Sequence, residues 1–187
     1  MDKRVQKTRH LIKTTVAKML KTKSLDRLSV SDIAAQSLIQ RATFYNHYGS
    51  VYDVVTDIRN DITAYAAAKF EDIDFSAIRS SVKPMLSRIA AVVRALPPEY
   101  RDLLLCENEN VLKDVRKWFI DNTVAKIEQN QRKLNEYERY SAEMFINGLI
   151  DAFYKWRSTR VAKPDYYEFV CYAARVAEFG CVFVGIE

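Results

Sequence analysis

One stretch of twenty residues, Ser29 to Tyr48, constrains this chain more than any other: SVSDIAAQSLIQRATFYNHY. Ser29 is placed to act as an N-cap, with Asp32 three positions on as the return partner of a capping box. Val30, Ile33 and Ala34 then give the i, i+3, i+4 apolar spacing of a short helix with one buried face. The pattern fails around Ser37 and Leu38, and a second short helix begins near Gln40 or Arg41. On it Phe44 and Tyr48, four apart, share the face that must turn inward, while Arg41, Ala42, Tyr45 and Asn46 point the other way. Two short helices joined by a tight turn, the second presenting Arg, Thr, Tyr and Asn outward, describe a helix-turn-helix.

The charge distribution agrees with a polyanionic partner for this end of the chain. The 187 residues carry a formal charge of +5, but unevenly. Residues 1–48 hold ten Lys/Arg against three Asp/Glu, an excess of seven positive charges, whereas the remaining 139 hold nineteen against twenty-one. The surface that faces a polyanion therefore belongs to the N-terminal segment. A first helix is expected from about Lys3 to Lys21, with Val5, Thr8, Ile12, Val16, Met19 and Leu20 as its inner stripe. Lys3, Arg4, Lys7, Lys13, Lys18 and Lys21 populate the rest of that helix, a face that ordinary solvation would explain but that beside a helix-turn-helix is expected to steer phosphate.

Four Gly and four Pro are few for a chain of this length, and no strand pattern, internal repeat or low-complexity segment interrupts the helical periodicities. Ser50 and Asp53 repeat the capping-box pattern after Gly49 and open a helix to about Phe70. Ala77 to Leu96 reads as an amphipathic helix kinked at Pro84, and Pro97-Pro98 starts a short one through YRDLLL. Val111 to about Leu134, Tyr137 to Arg157 and Asp165 to about Phe183 complete an all-α chain of about nine helices. The expected division is a DNA-binding domain over residues 1–49 and a helical regulatory and dimerisation domain over residues 50–187.

Several function classes have no footing. No apolar run approaches the ~20 residues of a membrane span, and the basic N-terminus has no apolar region behind it to make a signal peptide. Cys106, Cys171 and Cys181 are odd in number, and if the last two share one helix they are expected ~15 Å apart by rise alone, too far for a bridge. A reduced, cytoplasmic setting with no membrane partner is expected. His10 and His47 are the two histidines, neither with a Cys, Asp or Glu at a metal-ligand spacing. Without a Gly-rich phosphate loop, a G-x-S-x-G or a C-x-x-C, the expectation is no enzyme, no catalytic residue, no cofactor and no metal.

DIAAQSLIQRATFYNHYGS, Asp32 to Ser50, resembles the helix-turn-helix of the TetR/AcrR family of transcriptional regulators, which reads D-I-A-x-x-A-G-V-S-x-G-T-F/L-Y-x-H/Y-F-x-S-K. Asp32, Ile33, Ala34, Ile39, Thr43, Phe44, Tyr45, His47, Tyr48 and Ser50 fall into register. Three positions depart from the pattern. Leu38 stands where the turn has Gly, Gln40 where the recognition helix has its Ser N-cap, and Val51 where a Lys touches phosphate. Leu in a left-handed turn and Gln as a cap both cost stability, and Val51 removes a backbone contact. The strong resemblance covers about a quarter of the chain. Further on, SAEMFINGLIDAFYKW resembles the penultimate helix of the same family.

The resemblance implies a homodimer that binds a palindromic operator, usually as a repressor, and is released by a small-molecule effector. Arg41 is then placed to reach guanine O6/N7 and Asn46 adenine N6/N7. Thr43, Tyr45 and His47 would hold phosphates with help from Ser29 and Ser31, and Ala42 lies on the same face. Dimerisation is expected through the last two helices, where Gly148, Ala152, Ala173, Ala177 and Gly180 leave shallow grooves. Tyr65, Phe70, Met85, Cys106, Trp118, Tyr140, Met144 and Phe145 are candidates for lining an effector cavity, but aromatics and Met at helical spacing equally make plain core, so no ligand site is assigned. Leu38, Gln40 and Val51 also motivate a second reading, a TetR-like co-regulator without operator binding that grips a partner protein.

Overall fold

A computed structural model describes residues 3–71, 91, 93–105, 109–130, 132–158, 165 and 168–176, and every regular element among them is helical. The protein is all-α. In chain order the helices are α1 (Lys3–Leu20), α2 (Val30–Gln36), α3 (Arg41–Tyr45), α4 (Val51–Phe70), α5 (Pro98–Leu105), α6 (Glu109–Asn130), α7 (Glu136–Ser158) and a segment over residues 168–176, α8. A single 3-10 turn, Leu25–Arg27, links α1 to α2. The helix expected at Ala77, with its kink at Pro84, lies outside the described residues until its last few positions. So do Met85, Cys106, Ala177, Gly180 and Cys181. Among the described residues no helix is long and apolar enough to cross a membrane.

Local chemistry accounts for most of the helix starts. Ser29 Oγ accepts the Asp32 N–H at 3.1 Å and caps α2. Ser50 and Asp53 make the full reciprocal box at the start of α4, with the Ser50 N–H donating to Asp53 Oδ2 at 2.9 Å and the Asp53 N–H to Ser50 Oγ at 3.3 Å. A β-carbon on Gly49 would come 3.1 Å from that same Asp53 oxygen, so a larger residue there would require the capping carboxylate to shift by a few tenths of an ångström. Pro98 occupies the first position of α5, where its missing N–H costs nothing. Asn135 with Glu138, and Asp165 with Glu168, repeat the reciprocal arrangement ahead of α7 and α8.

The chain divides into two compact units. The first takes Met1–Ala68 and Leu96–Arg116. Its core gathers Ile12 and Val16 of α1, Ile33 of α2, Phe44 of α3, Val54, Ile58 and Ile62 of α4, Leu103 of α5 and Val111 of α6. Each such side chain contributes roughly 1.5–3 kcal/mol when fully buried, so the shared core holds α2 and α3, which are too short to persist alone. Val51 also turns into this core. The position at which the resemblance calls for a phosphate-binding Lys is thus an interior one.

The second unit takes Lys69–Ala95 and Lys117–Glu187. Ile120 and Val124 of α6 pack on Ala142 and Ile146 of α7, with Phe119, Leu134 and Ile150 around them. The connection between those helices is pinned by Arg132, which bonds both carboxylate oxygens of Glu138 at 2.8 and 2.6 Å. That guanidinium, and after it the Asn135 amide, pull the Glu138 carboxyl down to about 2. On the far side Phe169 of α8 stacks on Trp156 with ring centres 5.0 Å apart and lies 6.1 Å from Phe153.

Candidate nucleic-acid interface

The connection from α2 to α3 is four residues, Ser37 to Gln40. The Ile39 N–H reaches back to the Ala34 carbonyl at 3.0 Å and the Leu38 N–H to the Ala35 carbonyl at 3.3 Å, the paired closure of a Schellman motif. That motif needs a left-handed residue after its cap, and Leu38 supplies it with φ of 55°, the one positive φ among the described non-glycine residues. An L side chain there costs roughly 1–2 kcal/mol. Its neighbours alternate: the Ser37 hydroxyl is buried on the Ile33 carbonyl, Leu38 is 93% exposed, Ile39 packs against the core and Gln40 is exposed. Gln40 takes the N-cap position of α3 without a side-chain cap bond, as expected of Gln.

α3 sinks one face and presents the other. Phe44 is fully buried and Tyr48 nearly so, while Arg41, Ala42, Tyr45 and Asn46 are all exposed. The Tyr45 ring meets the edge of Phe44 at 5.7 Å and 87°, which fixes its base while half its surface stays in water. Asn46 is the C-cap of α3 rather than a residue within it, and His47 follows in the next turn, half-buried. Thr43 is also half-buried; Ser29 and Ser31 are exposed at the start of α2. All eight residues singled out from the sequence therefore belong to one short segment of the first unit. Ser29 uses its oxygen on the Asp32 N–H and keeps its own hydrogen to donate.

Behind α3 lies a polar network that the sequence did not reveal. Tyr48 donates to Asp57 Oδ2 at 2.6 Å, and Arg9 Nη2 reaches the same oxygen at 2.9 Å. Arg9 also lies 4.8 Å over the Tyr48 ring. Lys13, with its side chain 12% exposed, sits 3.3 Å from Asp57 Oδ2 and pairs with Asp61 as well. Tyr100 of α5 then donates to Asp61 Oδ2 at 2.8 Å. Burial alone would push the Asp57 carboxyl up, but the bonds from Tyr48 and Arg9, and the charge of Lys13, hold it below its ordinary value. The Tyr48 phenol is pushed up, first by burial and then by Asp57.

This network corrects the expected basic face of α1. Lys13 and Lys21 were assigned to phosphate steering, yet Lys13 turns to Asp57 and Asp61, and Lys21 pairs with Asp102 at 2.7 Å. The carboxylates responsible lie 44 to 81 positions further along the chain, beyond any local pattern. Arg9, His47, Tyr48, Gly49, Asp53, Thr56, Asp57 and Asn60 together line a depression of about 310 Å³ beside the end of α3.

Two further expectations change. Tyr140 and Met144, candidates for an effector cavity, are exposed on α7. Ala173, expected to shape a groove for a second copy, is already buried in the single chain. Among the described residues no three of His, Cys, Asp and Glu converge to hold a metal ion.

In comparisons with known proteins, no family model matches the chain, and no curated protein matches it.

Proposed function

We propose that this protein is a homodimeric, sequence-specific DNA-binding transcription regulator, similar in plan to the TetR/AcrR family. In this reading α1 to α3 form a helix-turn-helix domain over residues 1–49, and residues 50–187 dimerise and answer to a small-molecule effector. The observation that carries it is the two-sidedness of α3. Arg41, Ala42 and Tyr45 of α3 and Asn46 at its C-cap are exposed together, while Phe44 and, just past the helix, Tyr48 are fastened into the core.

Such a surface suits a major groove. Arg41 offers the two-pronged donor that matches guanine O6 and N7, and Asn46 the donor and acceptor that match adenine N6 and N7. Thr43, Tyr45 and His47, with the hydroxyls of Ser29 and Ser31, supply phosphate contacts that set register without reading sequence. The second copy would meet α7, where Tyr137, Tyr140, Met144, Gly148 and Ala152 recur at helical spacing and are exposed. An isologous pairing there brings two reading heads to half-sites related by a twofold axis. Effector binding would shift the balance between head spacings that fit an operator and those that do not, and occupancy of the operator would repress.

Selection of bound sequences from random duplex DNA tests this directly. A palindromic consensus is the expected result. If no sequence is enriched while the protein remains folded, the proposal fails and the partner-binding co-regulator takes its place.

A further inference from the structure

The fold of the first unit would be better served by other residues at both Leu38 and Gln40. Leu38 occupies a left-handed position that favours glycine, and it holds its side chain almost wholly in water. Gln40 takes an N-cap position and makes no cap bond with its side chain. Neither side chain contributes to the core, and between them Ile39 turns inward and packs against it. Local folding therefore explains neither residue, and the inward turn of Ile39 sends its two neighbours outward together.

On the reading given under Proposed function, we propose that Leu38 and Gln40 read one A·T base pair in each half-site. A carboxamide is the group that pairs with adenine N6 and N7, and an aliphatic side chain is the group that packs on the thymine C5-methyl. The two Cα atoms are at most about 7 Å apart along the chain, and base pairs step by about 3.4 Å. That separation is about two steps, within the reach of two long side chains that leave the same exposed turn just ahead of Arg41, so both can address one pair beside the Arg41 guanine. Both side chains are uncharged, so they add sequence preference rather than phosphate affinity. An apolar pocket on a partner protein would accommodate Leu38 but would leave Gln40 unexplained.

The test uses the full-length wild-type protein and its selected duplex, with analogues placed on the DNA at the A·T pair flanking the Arg41 guanine. Deoxyuridine in place of thymidine removes only the methyl group and should weaken binding about fourfold. 7-Deazaadenine removes only N7 and should weaken it by at least about fivefold. Leu38→Gly should lose the response to deoxyuridine and keep that to 7-deazaadenine, and Gln40→Ala should do the reverse. Circular dichroism of each variant checks that it is folded, and the wild-type arm does not depend on any variant. If wild-type binding ignores both analogues at every A·T pair of the site, or both variants select the wild-type consensus, these residues do not read DNA and the proposal is overturned. A wild-type protein that selects no duplex overturns the underlying reading instead, and the two failures are thus distinguishable.

Discussion

The Tyr48 phenol donates to Asp57 Oδ2 at 2.6 Å while the guanidinium bonded to that same oxygen, from Arg9, covers the Tyr48 ring. One carboxylate thereby ties α1, α4 and the turn that ends α3. Tyr48→Phe keeps the ring beside Phe44 and removes one bond to a charged acceptor. The expected loss is about 1–2 kcal/mol, toward the low end for such bonds because Asp57 is partly exposed. Urea unfolding measures it, and an unchanged midpoint would mean that the phenol contributes nothing.

Asp57 also gives the stability an acid dependence. Its native pKa lies below the unfolded value of about 3.9, so its contribution is complete above about pH 5 and disappears as pH falls through the native pKa. Asp57→Asn should lower stability at neutral pH and flatten the decline between about pH 5 and 3. Glu138 is depressed in the same direction in the second unit, so a residual slope from its arginine pair is expected. Unfolding midpoints of the variant that fall as steeply with acid as those of the parent would assign the slope elsewhere.

Leu38→Gly relieves the left-handed strain of roughly 1–2 kcal/mol and gives back about 0.4–1 kcal/mol in unfolded-chain freedom. A net gain between about zero and about 1.6 kcal/mol remains. Leu38→Ala keeps the strained φ and should gain nothing. Calorimetric melts that rank the two variants the other way would show that the Leu38 side chain stabilises the fold.

Short-range chemistry was readable from the residues themselves. Ser29, the Ser50–Asp53 box and Pro98 mark helix starts within one residue of where α2, α4 and α5 begin, because a cap is decided by neighbours three positions away. The outward face of α3 was legible for the same reason, since Phe44 fixes its inward side and Tyr48 follows it into the core just past the helix. What stayed hidden is set by tertiary packing. Lys13 looks like any surface lysine until α4 brings Asp57 and Asp61 against it, and nothing local to Tyr48 announces Asp57. Ala173 is buried in the single chain, and its place was ambiguous because a small residue fits equally well between helices of one chain and between two chains.

The inward turn of Lys13 gives a prediction about salt. If DNA is bound, the cations that release counterions are the exposed ones, such as Lys7, and not the paired ones. Lys7→Ala should lower the slope of log affinity against log salt by about one. Lys13→Met should leave that slope unchanged while destabilising the fold, since it removes the cation on Asp61 and one of the two on Asp57. Titrations between about 50 and 200 mM salt give the slopes, and a large change for Lys13→Met would return it to the phosphate-facing set.

Gly148 on α7 offers a test of the proposed dimer. A β-carbon built on Gly148 meets nothing within 4 Å, so within one chain a larger side chain has room there. Removing a mid-helix glycine also favours α7 itself, by about 0.5–1 kcal/mol for an ordinary helix former. A subunit carrying Gly148→Arg should therefore be at least as stable as its parent. Across a twofold through the exposed Tyr140, Met144 and Ala152, however, two like charges would face each other without partners. An unpaired buried ion costs several kcal/mol, enough to separate the copies. Sedimentation should show a folded monomer, and affinity for the palindromic duplex should fall because one head holds one half-site. Gly148→Ala is the control and should stay dimeric. If Gly148→Arg is folded and dimeric, the interface lies off this face of α7.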